Sequence, residues 1–228
     1  MMKVGTRSIL FGVHCWILHP WFVAWAWWKL YGFPWDPRLW VAFVVHDWGY
    51  WGKPNMDGPE GENHVWLGAW IVHCLFDWPR KIYESPCRYC GRTFPGQGGA
   101  YFGPTCSCAD GCCTPCNNRW FDLCLYHSRF YAKRDGQPFS RLCVADKLAV
   151  GLTPAWLYLP LAWLSGELAE YMAGKGARTP ASGRLATEWY RDVRRYCATW
   201  AWEHHDGRED TWTGTKRDLA IDPLCEER

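Results

Sequence analysis

The sequence predicts an all-α fold: a helical domain built from residues 1–83 and 119–228, interrupted by a small irregular cysteine-rich insert at 84–118. Three observations lead there. Apolar residues recur at spacings of three and four through most of the chain, the period of a helix with one buried face. No stretch shows the strict alternation of a half-buried strand, and there is no internal repeat or Gly-rich phosphate loop. Residues 84–118 ("ESPCRYCGRTFPGQGGAYFGPTCSCADGCCTPCNN") change composition abruptly to Gly, Pro and Cys with almost no aliphatics, so that segment cannot bury a core without a staple. At 228 residues the chain has the length of one domain with a real core.

Taken in order, "PWFVAWAWWKLY" (20–31) reads as a helix, with Pro20 tolerated in the first turn and Gly32 as its stop. Pro34 and Pro37 bracket the start of a second helix at Asp36, which carries Trp40, Phe43, Val44 and Asp47 until Gly49 ends it. Residues 52–63 are a Gly/Pro-rich loop, and "HVWLGAWIVHCLFD" (64–77) returns to helical period. After the insert, "RWFDLCLYHSRFYAK" reads as helix, "RDGQPFS" as a turn and "RLCVADKLAVGL" as helix. "PAWLYLPLAWLSGELAEYM" is a helix or a pair broken at Pro160, and residues 187–205 form an amphipathic closing helix before a polar tail.

The charge balance, 25 basic against 23 acidic residues, gives no electrostatic case for nucleic acid or an anionic membrane. The apolar N-terminal stretch is broken by His14, His19 and Pro20 and shows no small-residue cleavage site, so neither a signal peptide nor a membrane span is expected. Thirteen cysteines cannot all pair, and the expectation is a reducing cytoplasm in which they are metal ligands or buried thiols. Oligomeric state is not legible.

The chemistry centres on "VVHDWGY", where His46 and Asp47 follow an apolar run. Adjacent helical residues point about 100° apart, so the two need partners from other helices to hold one ion. His19 opens an earlier helix and is preferred as a ligand over its rival His14. Asp146 sits in the apolar "RLCVADKLA", where an unpaired carboxylate is costly; a salt bridge with Lys147 or Arg141 is the alternative to ligation. Two histidines and two carboxylates suit a divalent ion with open positions, Mn, Fe, Co or Mg. His73 reads as a core histidine, and "EHHD" (203–206) as a solvated helix end. Arg129 and Lys133, four apart on one helical face, are candidates to hold phosphate oxygens, as is Lys53 in the loop after the His-Asp pair. Asp57, Glu60 and Glu62 lie in the same loop and read as simple acidic loop residues, with a general acid or outer-shell acceptor as the alternative.

The ordered set His19…His46–Asp47…Asp146, with the flanks "HPWFVAWAWWKLYGFPWDPRLWVAFVVHDWGYWGK", "NHVWLGAWI" and "YHSRFYAKRDGQPFSRLCVADKLA", resembles the HD-domain metal-dependent phosphohydrolases over roughly 15–172, insert excluded. That resemblance implies an HD-like helical bundle, hydrolysis of a phosphoester or phosphoanhydride on a small phosphorylated substrate such as a nucleotide, and Asp47 as a catalytic residue. It also implies His64 and His127 as ligands of a second metal, with Asp47 bridging. An HD-like di-iron oxygenase and a non-catalytic nucleotide-binding module are the alternatives. The insert is outside the resemblance: Cys87-x2-Cys90 and Cys113-x2-Cys116, separated by 22 residues, have the donor spacing of a tetrahedral structural zinc site.

Overall fold

A computed structural model describes residues 2–56, 59–77, 119–173 and 185–205. The insert, with Cys87, Cys90, Cys113 and Cys116, lies outside the described residues, as does Asp57. Among the described residues the chain is helical, with no strands. The helices are α1 (Val4–Phe11), α2 (His19–Tyr31), α3 (Pro37–Val45), α4 (Pro59–Glu62), α5 (Val65–Phe76), α6 (Arg119–Leu125), α7 (Arg129–Arg134), α8 (Arg141–Leu152), α9 (Ala155–Ser165), α10 (Glu167–Ala173) and α11 (Ala186–His204), with a 3-10 turn at Trp48–Tyr50.

The centre of the bundle is α8, which packs between α2 and α11. Its Leu142, Cys143, Val144, Ala145, Leu148 and Ala149 are all buried, as expected of a helix apolar on nearly every side. Val23 and Trp27 from α2, Phe43 from α3, Val65 and Val72 from α5, and Trp200 from α11 complete this core. Asp146 is therefore a carboxylate in the middle of the most buried helix.

Side-chain caps open α3, α7 and α8. The Asp36 carboxylate accepts the backbone N–H of Arg38, and Ser128 and Ser140 hydroxyls cap α7 and α8 in the same way. The Asp77 carboxylate accepts from the backbone N–H groups of both Trp120 and Phe121, tying the end of α5 to the start of α6.

Six expectations are corrected. The 52–63 segment is not loop throughout, since Pro59–Glu62 form α4, and α3 stops at Val45, so that Asp47 follows the helix rather than lying within it. The 119–133 stretch is two helices, because the chain breaks at Tyr126–Ser128 and Ser128 starts a new cap. The 154–172 stretch breaks at Gly166, not at Pro160. Pro160 lies on the solvent face, where a carbonyl deprived of its N–H donor can turn to water, while Gly166 takes the left-handed conformation (φ 89°) that ends α9. His73 is not in the core; its side chain is 38% exposed, beside Asp77. His204 is not solvated; it is buried, stacked on Trp200 with ring centroids 4.4 Å apart. No single described helix is long and apolar enough to cross a membrane, and the 8–28 window is divided by the turn between α1 and α2.

Candidate metal centre

Six of the side chains singled out in the sequence converge. His19 opens α2, His46 and Asp47 follow α3, His64 precedes α5, His127 lies between α6 and α7, and Asp146 projects from α8. Donor atoms of His19, His46, Asp47 and Asp146 lie within 4.8 Å of one another, as do those of Asp47, His64 and His127. All six residues are buried.

Asp47 belongs to both groups through different oxygens. Its Oδ2 lies 3.3 Å from His19 Nε2 and 3.1 Å from His46 Nε2. Its Oδ1 lies 3.6 Å from His64 Nε2 and 3.5 Å from His127 Nε2. Asp146 divides its oxygens too: Oδ1 is 3.1 Å from His19 Nε2, and Oδ2 accepts from the Lys147 ammonium at 3.3 Å. The pairing with Lys147 and membership of the cluster are thus simultaneous.

Three of the four histidines are oriented by one local device. His46 Nδ1–H donates to Phe43 O at 3.0 Å, His64 Nδ1–H to Gly61 O at 2.7 Å, and His127 Nδ1–H to Cys124 O. Each acceptor is a carbonyl three residues back in the last turn of a short helix, where carbonyls lack intrahelical partners. The device fixes the tautomer, so each Nε2 points its lone pair inward, the arrangement metal-binding histidines use. Tyr50 stacks on His64 (3.9 Å, 8° between planes), and Ser128 Oγ–H donates to Glu62.

The donor set fits a cation on this evidence. His19 Nε2, His46 Nε2 and Asp47 Oδ2 are buried and lack a hydrogen-bond partner. His64 Nε2 and His127 Nε2 face each other at 3.0 Å although both rings already donate through Nδ1, so a proton or a cation must sit between two lone pairs. Burial holds His64 well below the ordinary imidazole range, reinforced by His127, and burial also lowers His19. Burial opposes charge on Asp47, yet His46 and His127 hold it well below the usual carboxylate range; Asp146 is likewise held down by Lys147 and His19 against its burial. Neutral imidazoles around ionised carboxylates are the protonation states that ligation requires. His46 is the exception: despite burial, Asp47 raises its pKa.

No protein family, curated protein or solved structure matches this chain.

The remaining sequence candidates stand outside the two donor groups. Arg129, half-buried at the start of α7, donates to the Tyr196 hydroxyl at 2.7 Å and lies over the Trp200 ring of α11. Lys133 is exposed in the last turn of α7. Lys53 follows the 3-10 turn, where its carbonyl accepts the Gly5 N–H of α1. Sequence reasoning gave less weight to two neighbours. Lys147 is the cation placed directly on the cluster. His14 sits with its ring centroid 5.5 Å from that of His19.

Proposed function

We propose that this chain is a metal-dependent phosphohydrolase with an HD-like helical bundle, acting on a phosphoester or phosphoanhydride of a small molecule such as a nucleotide. The observation that carries the reading is the shared carboxylate: Asp47 turns one oxygen to each of two buried donor groups, one with two histidines and a second carboxylate, the other with two histidines. Mixed imidazole and carboxylate donors suit Mn, Fe, Co or Mg, and two such positions a few ångströms apart suit displacement at phosphorus. Divalent ions bound there supply Lewis-acid polarisation of a phosphoryl oxygen and acidify a water near neutral pH. The chain's own residues do the rest. Asp47 spans the two groups, the Nδ1–carbonyl bonds hold the imidazoles in place, and Lys147 restrains Asp146 while offsetting negative charge at the cluster. Arg129, Lys133 and Lys53 are the further cations assigned to phosphate groups, on the sequence pattern rather than on a contact with the donor groups.

The test is phosphate release across deoxynucleoside triphosphates, nucleoside monophosphates and cyclic dinucleotides, using chelated protein reconstituted with each metal. Turnover that requires metal and disappears in Asp47→Ala, with helical content kept, supports the reading. Turnover unchanged in Asp47→Ala sinks it. The same donor set also suits a di-iron oxygenase, which would instead consume oxygen when iron-loaded and release no phosphate. For the insert, the paired Cys-x2-Cys spacing supports a structural zinc, and thiols used as metal ligands are at home in a reducing cytoplasm, the location this reading assumes.

A further inference from the structure

A half-buried His14 and a buried Glu167 form a pair at the edge of the metal centre that the proposed chemistry does not use. Glu167 has no solvent exposure. Its carboxylate accepts hydrogen bonds from Val13 N at 3.2 Å, Ser165 Oγ at 2.7 Å and Tyr171 OH at 3.3 Å, and holds His14 Nδ1 at 3.1 Å. Ser8 Oγ lies 2.9 Å from the same nitrogen. The loop that carries His14 is shaped around this carboxylate: a Cβ on Gly12 would fall 2.3 Å from Glu167 Oε1. Groups from α1, the following loop, α9 and α10 are thus committed to fixing one imidazole, and the cost of burying the carboxylate is offset by its pairing with His14 and its other hydrogen bonds.

The fixed imidazole faces the centre. Its ring lies against His19 (5.5 Å) and Tyr50 (5.2 Å), and Tyr50 in turn stacks on His64, so His14 borders both donor groups. Its other nitrogen, Nε2, has no hydrogen-bond partner among the described residues. The side chain keeps 18% of its surface, whereas His46 keeps 1% and Asp47 7%. His14 thus stands at the solvent edge of the cluster, as does Lys147 with 29% of its side chain exposed, while the six donor residues keep 11% or less.

We infer that His14 is a substrate-binding residue, held by Glu167 and Ser8 to present Nε2 to a phosphoryl oxygen of the substrate at the mouth of the metal centre. The inference rests on the phosphohydrolase reading for its substrate class. It does not need turnover to be tested. A hydrogen bond from an imidazole N–H to an anionic phosphoryl oxygen is charge-assisted through its acceptor, and losing it costs ~10- to 100-fold in affinity.

The experiment is calorimetric titration of inorganic phosphate into the metal-loaded full chain, for wild type, His14→Ala, His14→Gln and Glu167→Gln, with elemental analysis of each and KM and kcat for p-nitrophenyl phosphate. His14→Ala should weaken phosphate binding and raise KM by ~10- to 100-fold, change kcat less, and keep its metal. His14→Gln, which retains an N–H donor, should recover part of the loss. Glu167→Gln should weaken binding in the same direction, and it carries the test should His14→Ala fail to fold. Phosphate affinity unchanged in a metal-replete His14→Ala overturns the inference, as does loss of metal from that variant, which would make His14 a ligand. If no phosphoester is turned over yet phosphate binding shifts as stated, the hydrolase reading fails and the His14 assignment stands.

Discussion

Asp47→Asn separates a shared metal ligand from an ordinary buried carboxylate. The substitution keeps the shape of the side chain but removes its charge. In the structure, Oδ2 stands 3.3 and 3.1 Å from the Nε2 atoms of His19 and His46, and Oδ1 3.6 and 3.5 Å from those of His64 and His127. The first group would keep Asp146, whereas the second would lose the only carboxylate among its three donors. Replacing a residue that merely supports a metal ligand costs 10- to 100-fold in affinity, so losing an anionic donor should cost at least ~100-fold, about 3 kcal/mol. The assay is elemental analysis of protein dialysed against low-micromolar Mn(II), with Asp146→Asn alongside. Any zinc in the cysteine-rich insert is common to all three proteins and cancels in the differences. Asp47→Asn should lose about two ions per chain relative to wild type and Asp146→Asn about one. An Asp47→Asn protein that keeps its helical signal and its full metal content would refute the sharing of Asp47.

Three further outcomes follow from the same geometry. Because Asp47 raises the pKa of His46 in the metal-free protein, a proton must leave His46 on binding; affinity is full above that pKa and should fall by about tenfold per pH unit below it, as isothermal titration over a pH series would show. Gly49 packs so closely on the next ligand loop that a Cβ there would lie 1.7 Å from the His64 carbonyl, so Gly49→Ala should cost ~1–3 kcal/mol or more in chemical denaturation and displace His64. Asp77→Ala removes the acceptor for the first N–H groups of α6 and should cost ~1–2 kcal/mol, with little effect on metal content because Asp77 is in neither donor group.

The site was more legible than the packing around it. His19, His46, Asp47 and Asp146 stand out because each is a polar residue in an apolar helical context, where an uncommitted charge is costly, and the structure brings those four together. His64 and His127 entered through the resemblance alone, and the structure gathers them on the other oxygen of Asp47. The Nδ1–carbonyl anchors were not foreseen because they depend on where short helices end, and the break before Ser128 leaves no mark in the apolar period. Pro160 misled because a proline on the solvent face of a helix loses its hydrogen bond to water at small cost, while Gly166 had the stronger claim to the break. His204 was misassigned for the opposite reason: its neighbours in sequence are charged, but the helix turns it inward onto Trp200. The His14–Glu167 pair joins residues 153 positions apart, and no local pattern in the sequence reports a contact of that range.

A buried cation-binding centre built from both donor groups around Asp47 is the central claim. Anomalous diffraction from crystals of the full chain grown with Mn(II) tests that claim most directly. It predicts two peaks, one in contact with His19, His46, Asp47 and Asp146, the other with Asp47, His64 and His127. No peak within reach of Asp47 in Mn(II)-saturated crystals would contradict it.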